Sequence, residues 1–169
     1  MTRNVKDIEK FFKDFSLDWH VGRKYISREL KTEVSMEVFD GFISAIASEF
    51  KIRFHKDAEG TYRANLEFDN DRSQEVLVTL SRDESGDRII NYFSIIGKLK
   101  KDLAELYKYC LQMNATLDYG SLALMNDTLI LRNTLLLKDC DPVRFMKSLS
   151  YIAAKADELE EMLINENIY

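Results

Sequence analysis

The side chains best suited to metal binding or nucleophilic attack near neutral pH are two histidines and two cysteines. His20 lies in an irregular stretch, and His55 lies on the polar side of a predicted strand. Neither belongs to an HxxxH or CxxC pattern, so the ligand spacing of a metal site is missing. Cys110 and Cys140 would need a base that produces the thiolate, and no pattern points to one. We therefore expect a protein that is not an enzyme and holds no metal or cofactor.

Other stretches that resemble functional motifs also lack the required spacing. The sequence has no glycine-rich phosphate loop, no GxSxG turn and no kinase motif. Gly120 is a lone glycine in a strand pattern, which predicts a bulge or a close backbone approach. The acidic stretches "DESGD" and "ELEE" do not have the regular ligand spacing of a calcium loop. We interpret them as a turn and a solvated helix end.

Length, charge and hydropathy are those of an ordinary globular domain. The chain has 169 residues, 46% hydrophobic and 31% charged, enough to bury one core without disulfides. Its formal net charge is -5, whereas nucleic-acid-binding proteins more often carry a basic excess on one face. No apolar run reaches the roughly 20 residues that span a membrane, and the charged N-terminal stretch lacks a signal core. We therefore expect a cytoplasmic protein that binds neither nucleic acid nor membrane.

Two amphipathic helices are predicted before the first strand. Residues 4–15 place their apolar side chains on one helical stripe. Ser35 is predicted to be the N-cap of a second helix that ends near Phe50. The apolar face of this second helix consists of Val38, Phe39, Phe42, Ile43, Ile46 and Phe50.

After Phe50 the apolar period changes from 3.6 to 2, which predicts strands. Four strands follow, in "KIRFH", "TYRANLEF", "EVLVTL" and "RIINYFSII", with turns at "DAEG" and "DESGD". The fourth strand has apolar residues on both of its sides. One side carries Ile90, Tyr92 and Ile96. The other side carries Ile89, Phe93 and Ile95.

A hairpin in the C-terminal half has the same two-sided character. Asn126 and Asp127 are predicted to form its two-residue turn, because both residue types tolerate positive φ. This turn predicts the pairs Met125–Thr128, Leu124–Leu129, Ala123–Ile130 and Leu122–Leu131. The four leucines share one face of the hairpin. The other face carries Ala123, Met125 and Ile130.

Two further helices flank this hairpin. The first is predicted from about Lys98 to Met113, with Asn114 at its end. Its apolar stripe consists of Leu99, Leu103, Leu106, Tyr107, Cys110 and Leu111. The second begins with Asp141 as N-cap and Pro142 at the first helical position. Its apolar stripe consists of Phe145, Leu149, Ile152, Ala156, Leu159 and Leu163.

The predicted fold class is α+β, with an antiparallel sheet packed against helices in the order α-α-β-β-β-β-α-β-β-α. Residues 1–33 are predicted to form an N-terminal helical extension, and residues 34–169 the α+β domain. Helices can cover one face of the sheet, but an apolar second face also needs a cover. Three covers are open: the chain's own N-terminal residues, a second copy of the chain, or a bound client segment. The N-terminal residues in question are Phe11, Phe12, Phe15 and Trp19.

The C-terminal half is similar to a known family. A helix ends in "LYKYCLQMNATLDYG", the hairpin "SLALMNDTLILRNTLLL" follows, and "DPVRFMKSLSYIAAKADELEEML" closes the domain. This pattern resembles the type III secretion chaperone-like superfamily, in particular its YbjN-like bacterial branch and the CesT-type chaperones. Members share the order α-β-β-β-α-β-β-α. The predicted order from Ser35 to about Leu163 has one strand more.

The resemblance implies a non-enzymatic protein–protein interaction module, chaperone-like or adaptor, that is commonly a homodimer. Such chaperones are small, acidic and cytoplasmic, and they hold a secreted client in extended form along apolar surface. The expected partner-binding or dimer surface consists of Ile89, Phe93, Ile95, Ala123, Met125 and Ile130. The alternative is a stand-alone regulatory or structural YbjN-like protein without a secreted client. A small-molecule binder or an enzyme is the third hypothesis.

Overall fold

A computed structural model describes residues 29–68, 72–99 and 104–165 of the chain. The helix predicted over residues 4–15 therefore lies outside the described residues. The description concerns the compact unit that begins at Glu33. The division of the chain into residues 1–33 and 34–169 stays a prediction.

The described residues form helices and strands in the predicted order from the second predicted helix onward. The elements are α1 (Glu29–Phe50), β1 (Phe54–Ala58), β2 (Thr61–Glu67), β3 (Ser73–Arg82), β4 (Arg88–Lys98), α2 (Ala104–Asn114), β5 (Ser121–Met125), β6 (Thr128–Leu136), a short 3-10 turn (Leu137–Asp139) and α3 (Pro142–Asn165). All strand pairs are antiparallel. The predicted α+β class with an antiparallel sheet is therefore confirmed.

The sheet has six strands in the order β1-β2-β3-β4-β6-β5. β4 pairs with β6 rather than with β5, so the C-terminal hairpin folds back with β6 inside the sheet. This choice places apolar Leu131, which is fully buried, at a central position. β1 forms the opposite edge, and four of its five residues are exposed. The most apolar strands therefore lie in the middle of the sheet.

The three helices cover one face of this sheet. α1 packs on β2 through an edge-to-face contact between Phe39 and Tyr62, whose ring centroids are 5.7 Å apart. Phe145 of α3 makes similar contacts with Phe42 of α1 at 5.4 Å and with Tyr92 of β4 at 5.3 Å. Such ring pairs contribute about 0.5–1.5 kcal/mol each beyond the burial of area. The main core thus lies between the sheet and the helices.

The C-terminal hairpin has the predicted register. Its pairs are Met125–Thr128, Leu124–Leu129, Ala123–Ile130 and Leu122–Leu131. Asn126 adopts a φ of 54°, as a tight two-residue turn requires. Leu124 shares one face of the hairpin with the other three leucines, as predicted, and is 45% exposed. It lies near the end of an edge strand, where fewer neighbours can cover it.

The start of α3 is also as predicted. Pro142 is its first residue, and the Asp141 carboxylate accepts a hydrogen bond from the Arg144 backbone N–H at 2.8 Å. This contact satisfies one of the amide groups that a helix leaves unpaired at its N-terminus. The predicted stripe is buried at Phe145, Leu149, Ile152, Ala156 and Leu159. The side chain of Leu163 lies outside the described residues.

Two predictions about α1 are wrong. Ser35 is not an N-cap, because α1 already contains Glu29 and continues through Ser35. The preceding residues, "ELKTEV", include several good helix formers, so they extend the helix toward the N-terminus. Val38 is not a core residue, because it is 55% exposed. Its neighbour Phe39 is fully buried, and successive helical residues point about 100° apart.

Two predictions about α2 are also wrong. The helix does not begin at Lys98, because β4 continues to Lys98, which pairs with Thr128. α2 begins at Ala104, and Leu99 is buried although it lies outside this helix. Leu111 is 71% exposed, because the helix turns the preceding Cys110 toward the core. Leu99 is spaced from Leu106 and Cys110 as if all three lay on one helix, although Leu99 comes before α2. This spacing led to the wrong start of the predicted helix.

Gly120 confirms the predicted close backbone approach. Its φ is +74°, and a Cβ at this position would lie 2.4 Å from the backbone oxygen of Arg132 and 2.7 Å from Cδ1 of Ile152. Any side chain would therefore collide with β6 and with α3 together. A glycine here lets the chain pass under α3 and enter β5.

Asn114 ends α2 and also closes part of the outer edge of β5. Its Nδ2 donates to the backbone oxygen of Leu122 at 3.2 Å, and its Oδ1 accepts from the backbone N–H of Leu122 at 2.7 Å. Leu122 is paired with Leu131 of β6 at a position where the backbone N–H and C=O of Leu122 point away from β6. The Asn114 amide therefore satisfies both groups, as a neighbouring strand would.

Candidate functional site

The six predicted site residues lie on one face of the sheet, opposite to the face that the helices cover. Side chains alternate along a strand, so Ile89, Phe93 and Ile95 point away from buried Ile90 and Tyr92. We call this the second face. The register places the predicted residues of three strands side by side in the row Ile95–Ile130–Ala123.

The centre of the second face is dry. Ile130 is 2% exposed and Leu77 is 5% exposed, yet neither belongs to the main core cluster. Phe93, Ile95, Ala123 and Met125 around them are half-buried. We call these six residues the apolar patch. A cover by Phe11, Phe12, Phe15 and Trp19 involves residues outside the described ranges.

Leu77 was missed by the sequence analysis. It lies opposite Phe93 and continues the apolar patch into β3. The signal was available, because Leu77 stands between Val76 and Val78 in a continuous apolar run. Such runs are typical of strands buried on both faces.

Ile89 lies on the second face but is separated from the apolar patch by polar side chains. Asn91 donates from Nδ2 to the Ser81 hydroxyl at 2.6 Å and accepts from the Thr134 hydroxyl at 2.9 Å. Asn91 and its pair Thr134 lie between Ile89 and Phe93 along the strands, and Ser81 lies directly opposite Ile89. The structure therefore brings five of the six predicted site residues together and leaves Ile89 beyond a polar row.

Arg132 borders the apolar patch. It lies in β6 between Phe93 of β4 and Ser121 of β5, one strand position from Ile130 on the same face. Its Nη2 donates to the Thr134 hydroxyl at 3.2 Å and lies 3.4 Å from Oδ1 of Asn91. Both acceptors are neutral. Among the described residues, no carboxylate pairs with this guanidinium.

A charged patch occupies the other end of the second face, on β1, β2 and β3. Arg63 donates from Nε and Nη2 to Oδ2 of Asp57 at 2.9 and 2.7 Å, and its Nη1 lies 3.5 Å from Oε2 of Glu75. The hydrogen bond to Asp57 raises the pKa of Arg63. His55 Nε2 lies 3.5 Å from Oδ1 of Asp57, with a side chain that is 78% exposed. We call these four residues the charged patch.

The two patches meet in a single row that crosses all six strands. The row consists of His55, Arg63, Leu77, Phe93, Arg132 and Ser121. Adjacent strands lie about 4.8 Å apart, so the members of the row lie side by side on the face. The apolar pair Leu77–Phe93 is thus flanked by two arginines, one paired with carboxylates and one paired with neutral oxygens.

The residues that could perform covalent chemistry are poorly placed for it. Burial raises the pKa of the Cys110 thiol and raises that of Cys140 to about 11, so both stay protonated at neutral pH. Within the described ranges, no group of three His, Cys, Asp or Glu side chains could hold a metal ion. His20 lies outside these ranges.

The buried polar side chains of the core also have structural partners. Asn133 Nδ2 donates to the Tyr92 hydroxyl and to the Ser148 hydroxyl, each at 2.8 Å. Burial raises the pKa of Tyr92 to about 12, which keeps its hydroxyl protonated.

In the described part of the chain, no helix is long and apolar enough to cross a membrane.

Comparison with known proteins identifies the fold. No family model and no curated protein matches the chain. The chain is similar to a chain of the HopA1–SchA chaperone–effector complex, with a TM-score of 0.53, 11% identity, and coverage of 76% of this chain and 97% of that chain. It is also similar to a chain of the Yersinia pestis type III secretion chaperone SycH in complex with a stable fragment of YscM2, with a TM-score of 0.48, 18% identity, and coverage of 72% and 98%.

The chain therefore has a type III secretion chaperone-like fold, as the sequence pattern predicted. At 11% identity this likeness concerns the fold alone. Membership of the YbjN-like branch stays a prediction.

Proposed function

We propose that this protein is a non-enzymatic, chaperone-like or adaptor module that binds a protein partner through the apolar patch. The observation that carries the proposal is the set of partly exposed apolar side chains of Phe93, Ile95, Ala123 and Met125, which lie together on the second face around buried Ile130. The fold supports it, because the similar HopA1–SchA structure is a chaperone–effector complex. The predicted site residues Ile89, Phe93, Ile95, Ala123, Met125 and Ile130 form or flank this surface.

Burial of the remaining apolar area would drive the association. Phe93, Ile95 and Met125 keep part of their surface exposed around Ile130. A large apolar side chain moved fully out of water contributes roughly 1.5–3 kcal/mol. Met125 at the rim adds adaptability, because an unbranched thioether fits differently shaped neighbours. The patch can therefore accept apolar side chains of an extended segment without chemistry of its own.

The proposal includes a homodimer in a reducing, cytoplasmic environment. A symmetric dimer would place the same patch of each chain in contact. Both cysteines of the described chain are free, which fits a compartment that keeps thiols reduced. A client and a dimer mate can use different parts of the second face.

The test compares two neighbouring residues of β5 that point to opposite faces. Met125→Glu places a charge at the apolar patch, whereas Leu124→Glu places the same charge on the other face, where Leu124 is 45% exposed. Both positions keep solvent access, so both variants should fold. Molar mass would be measured by light scattering over a range of concentrations, together with proteins that co-purify from the native host.

We expect Met125→Glu to lose self-association or a stoichiometric partner, and Leu124→Glu to keep them. A wild-type protein that stays monomeric and captures nothing stoichiometric would contradict the proposal. Loss of association in Leu124→Glu alone would also contradict it, because the interface would then lie on the helix side of the sheet.

A further inference from the structure

Arg132 is a cation whose surroundings differ from those of other cations beside the apolar patch. Arg63 is bound by Asp57 and Glu75, and Lys98 at the end of β4 lies 3.0 Å from Asp127. Arg132 makes its hydrogen bonds through Nη2, to the oxygens of Thr134 and Asn91. A guanidinium has five N–H donors, so most of those of Arg132 have no acceptor among the described residues.

The location of Arg132 makes this lack of a carboxylate important for binding. Arg132 lies directly opposite Phe93 and one position along the face from Ile130. A partner that covers the apolar patch must also remove water from this guanidinium. Removing water from a charge without supplying a counter-charge opposes association. A partner made of apolar atoms alone would therefore match the apolar patch but bind weakly, because the Arg132 guanidinium would lose water without gaining a counter-charge.

We propose that the partner is an extended protein segment that carries an Asp or Glu beside apolar residues, and that its carboxylate binds Arg132. This inference rests on the proposed function, because it describes the chemistry of the segment that the apolar patch receives. A carboxylate can accept two parallel hydrogen bonds from a guanidinium, which adds orientation as well as attraction. Arg132 thus selects partners by charge, and the apolar patch supplies the area.

The spacing on the face sets the spacing in the partner. Ile95 and Ala123, the half-buried neighbours of Ile130 in its row, lie two residues from Arg132 along the direction of β6 and point to the same side. An extended segment lying along β6 has the same repeat of about 6.6 Å between alternate side chains. The acidic residue should therefore stand two positions from an apolar residue. Ser121, opposite Arg132 on the edge strand, is exposed.

The experiment uses random twelve-residue peptides displayed on phage and selected against the full-length protein. The selection is repeated with Arg132→Gln, with Arg63→Gln as the matched control in the same row of the sheet, and with Met125→Glu. The strongest wild-type peptide is then synthesised with its acidic residue intact or replaced by the corresponding amide. Both peptides are titrated against wild-type protein and against Arg132→Gln by calorimetry.

We expect the wild type and Arg63→Gln to enrich peptides with an acidic residue two positions from an apolar one. Arg132→Gln should keep the apolar preference and lose the acidic one. Replacing the acid by its amide should weaken binding to the wild type by about tenfold, because a hydrogen-bonded charge pair is lost. The same replacement should have no further effect in Arg132→Gln, as a direct pair requires.

Five outcomes overturn the inference. Apolar enrichment without acids, or acid enrichment that persists in Arg132→Gln, refutes the role of Arg132 and leaves the proposed function intact. Enrichment that is unchanged by Met125→Glu, or no enrichment at all, refutes the proposed function itself. A wild-type dimer that dissociates in Arg132→Gln and enriches no peptide would identify a second copy as the occupant instead.

Discussion

Arg63 and Arg132 lie in the same row of the second face, with Leu77 and Phe93 between them, yet their surroundings are opposite. Arg63 is bound by Asp57 and Glu75 from its own sheet, so its positive charge is paired inside the molecule. Arg132 is held by neutral oxygens at the border of the apolar patch. One arginine of the face is therefore paired with carboxylates of its own sheet, whereas the other has no carboxylate among the described residues.

The largest expected effect comes from placing a charge in the centre of the apolar patch. Ile130→Asp should lower the free energy of unfolding by about 3 kcal/mol or more, because an unpaired charge would be buried. Urea denaturation monitored by circular dichroism measures this loss. Ser121→Asp is the matched control, since Ser121 is exposed on the same face. If Ile130→Asp were as stable as that control, the centre of the face would not be dry.

The two arginines should differ in what their removal changes. Arg63→Gln breaks contacts with two carboxylates and should lower the free energy of unfolding by about 1 kcal/mol. Arg132→Gln loses only contacts with neutral oxygens and should change it by less than about 0.5 kcal/mol. Chemical denaturation of both variants under the same conditions measures the difference. Equal losses of stability would mean that the contacts of Arg63 and those of Arg132 stabilise the fold to the same extent.

A further small effect is expected from giving Arg132 a carboxylate of its own. Ser121→Asp places an acid directly opposite Arg132 and should stabilise the fold by about 0.2–1 kcal/mol. The same acid should compete with an acidic partner segment and weaken its binding. Salt titration of the unfolding midpoint provides the check, because added salt should remove the gain. A destabilised variant at low salt would show that the Arg132 guanidinium does not reach this position.

The register of the apolar patch was predictable because one local signal fixes it. The Asn126-Asp127 turn determines every pair of the β5–β6 hairpin, and so places Ala123 beside Ile130. The apolar second face of β4 followed from simple alternation. The order of the strands in the sheet could not be predicted from local patterns. Leu124 is exposed because β5 is an edge strand. Local patterns thus give faces and registers, whereas exposure depends on which strands are neighbours.

The distinction between Arg63 and Arg132 could not be read from the sequence. Asp57 lies six residues before Arg63 and Glu75 lies twelve residues after it, so their contacts exist only once β1, β2 and β3 are paired. Arg132 has acidic residues nearby in the chain, such as Asp127, but these point elsewhere. Whether a surface cation is already neutralised is a property of tertiary structure, and it decides which cation is available to a partner.

The Asn114 amide occupies the place of a seventh strand along part of β5. Because it takes up both outward backbone groups of Leu122, Leu124 is left as the open position along this short strand. A strand from another molecule would find too few consecutive hydrogen bonds there to continue the sheet. Fibril growth from this edge is therefore blocked by one side chain at the end of a helix.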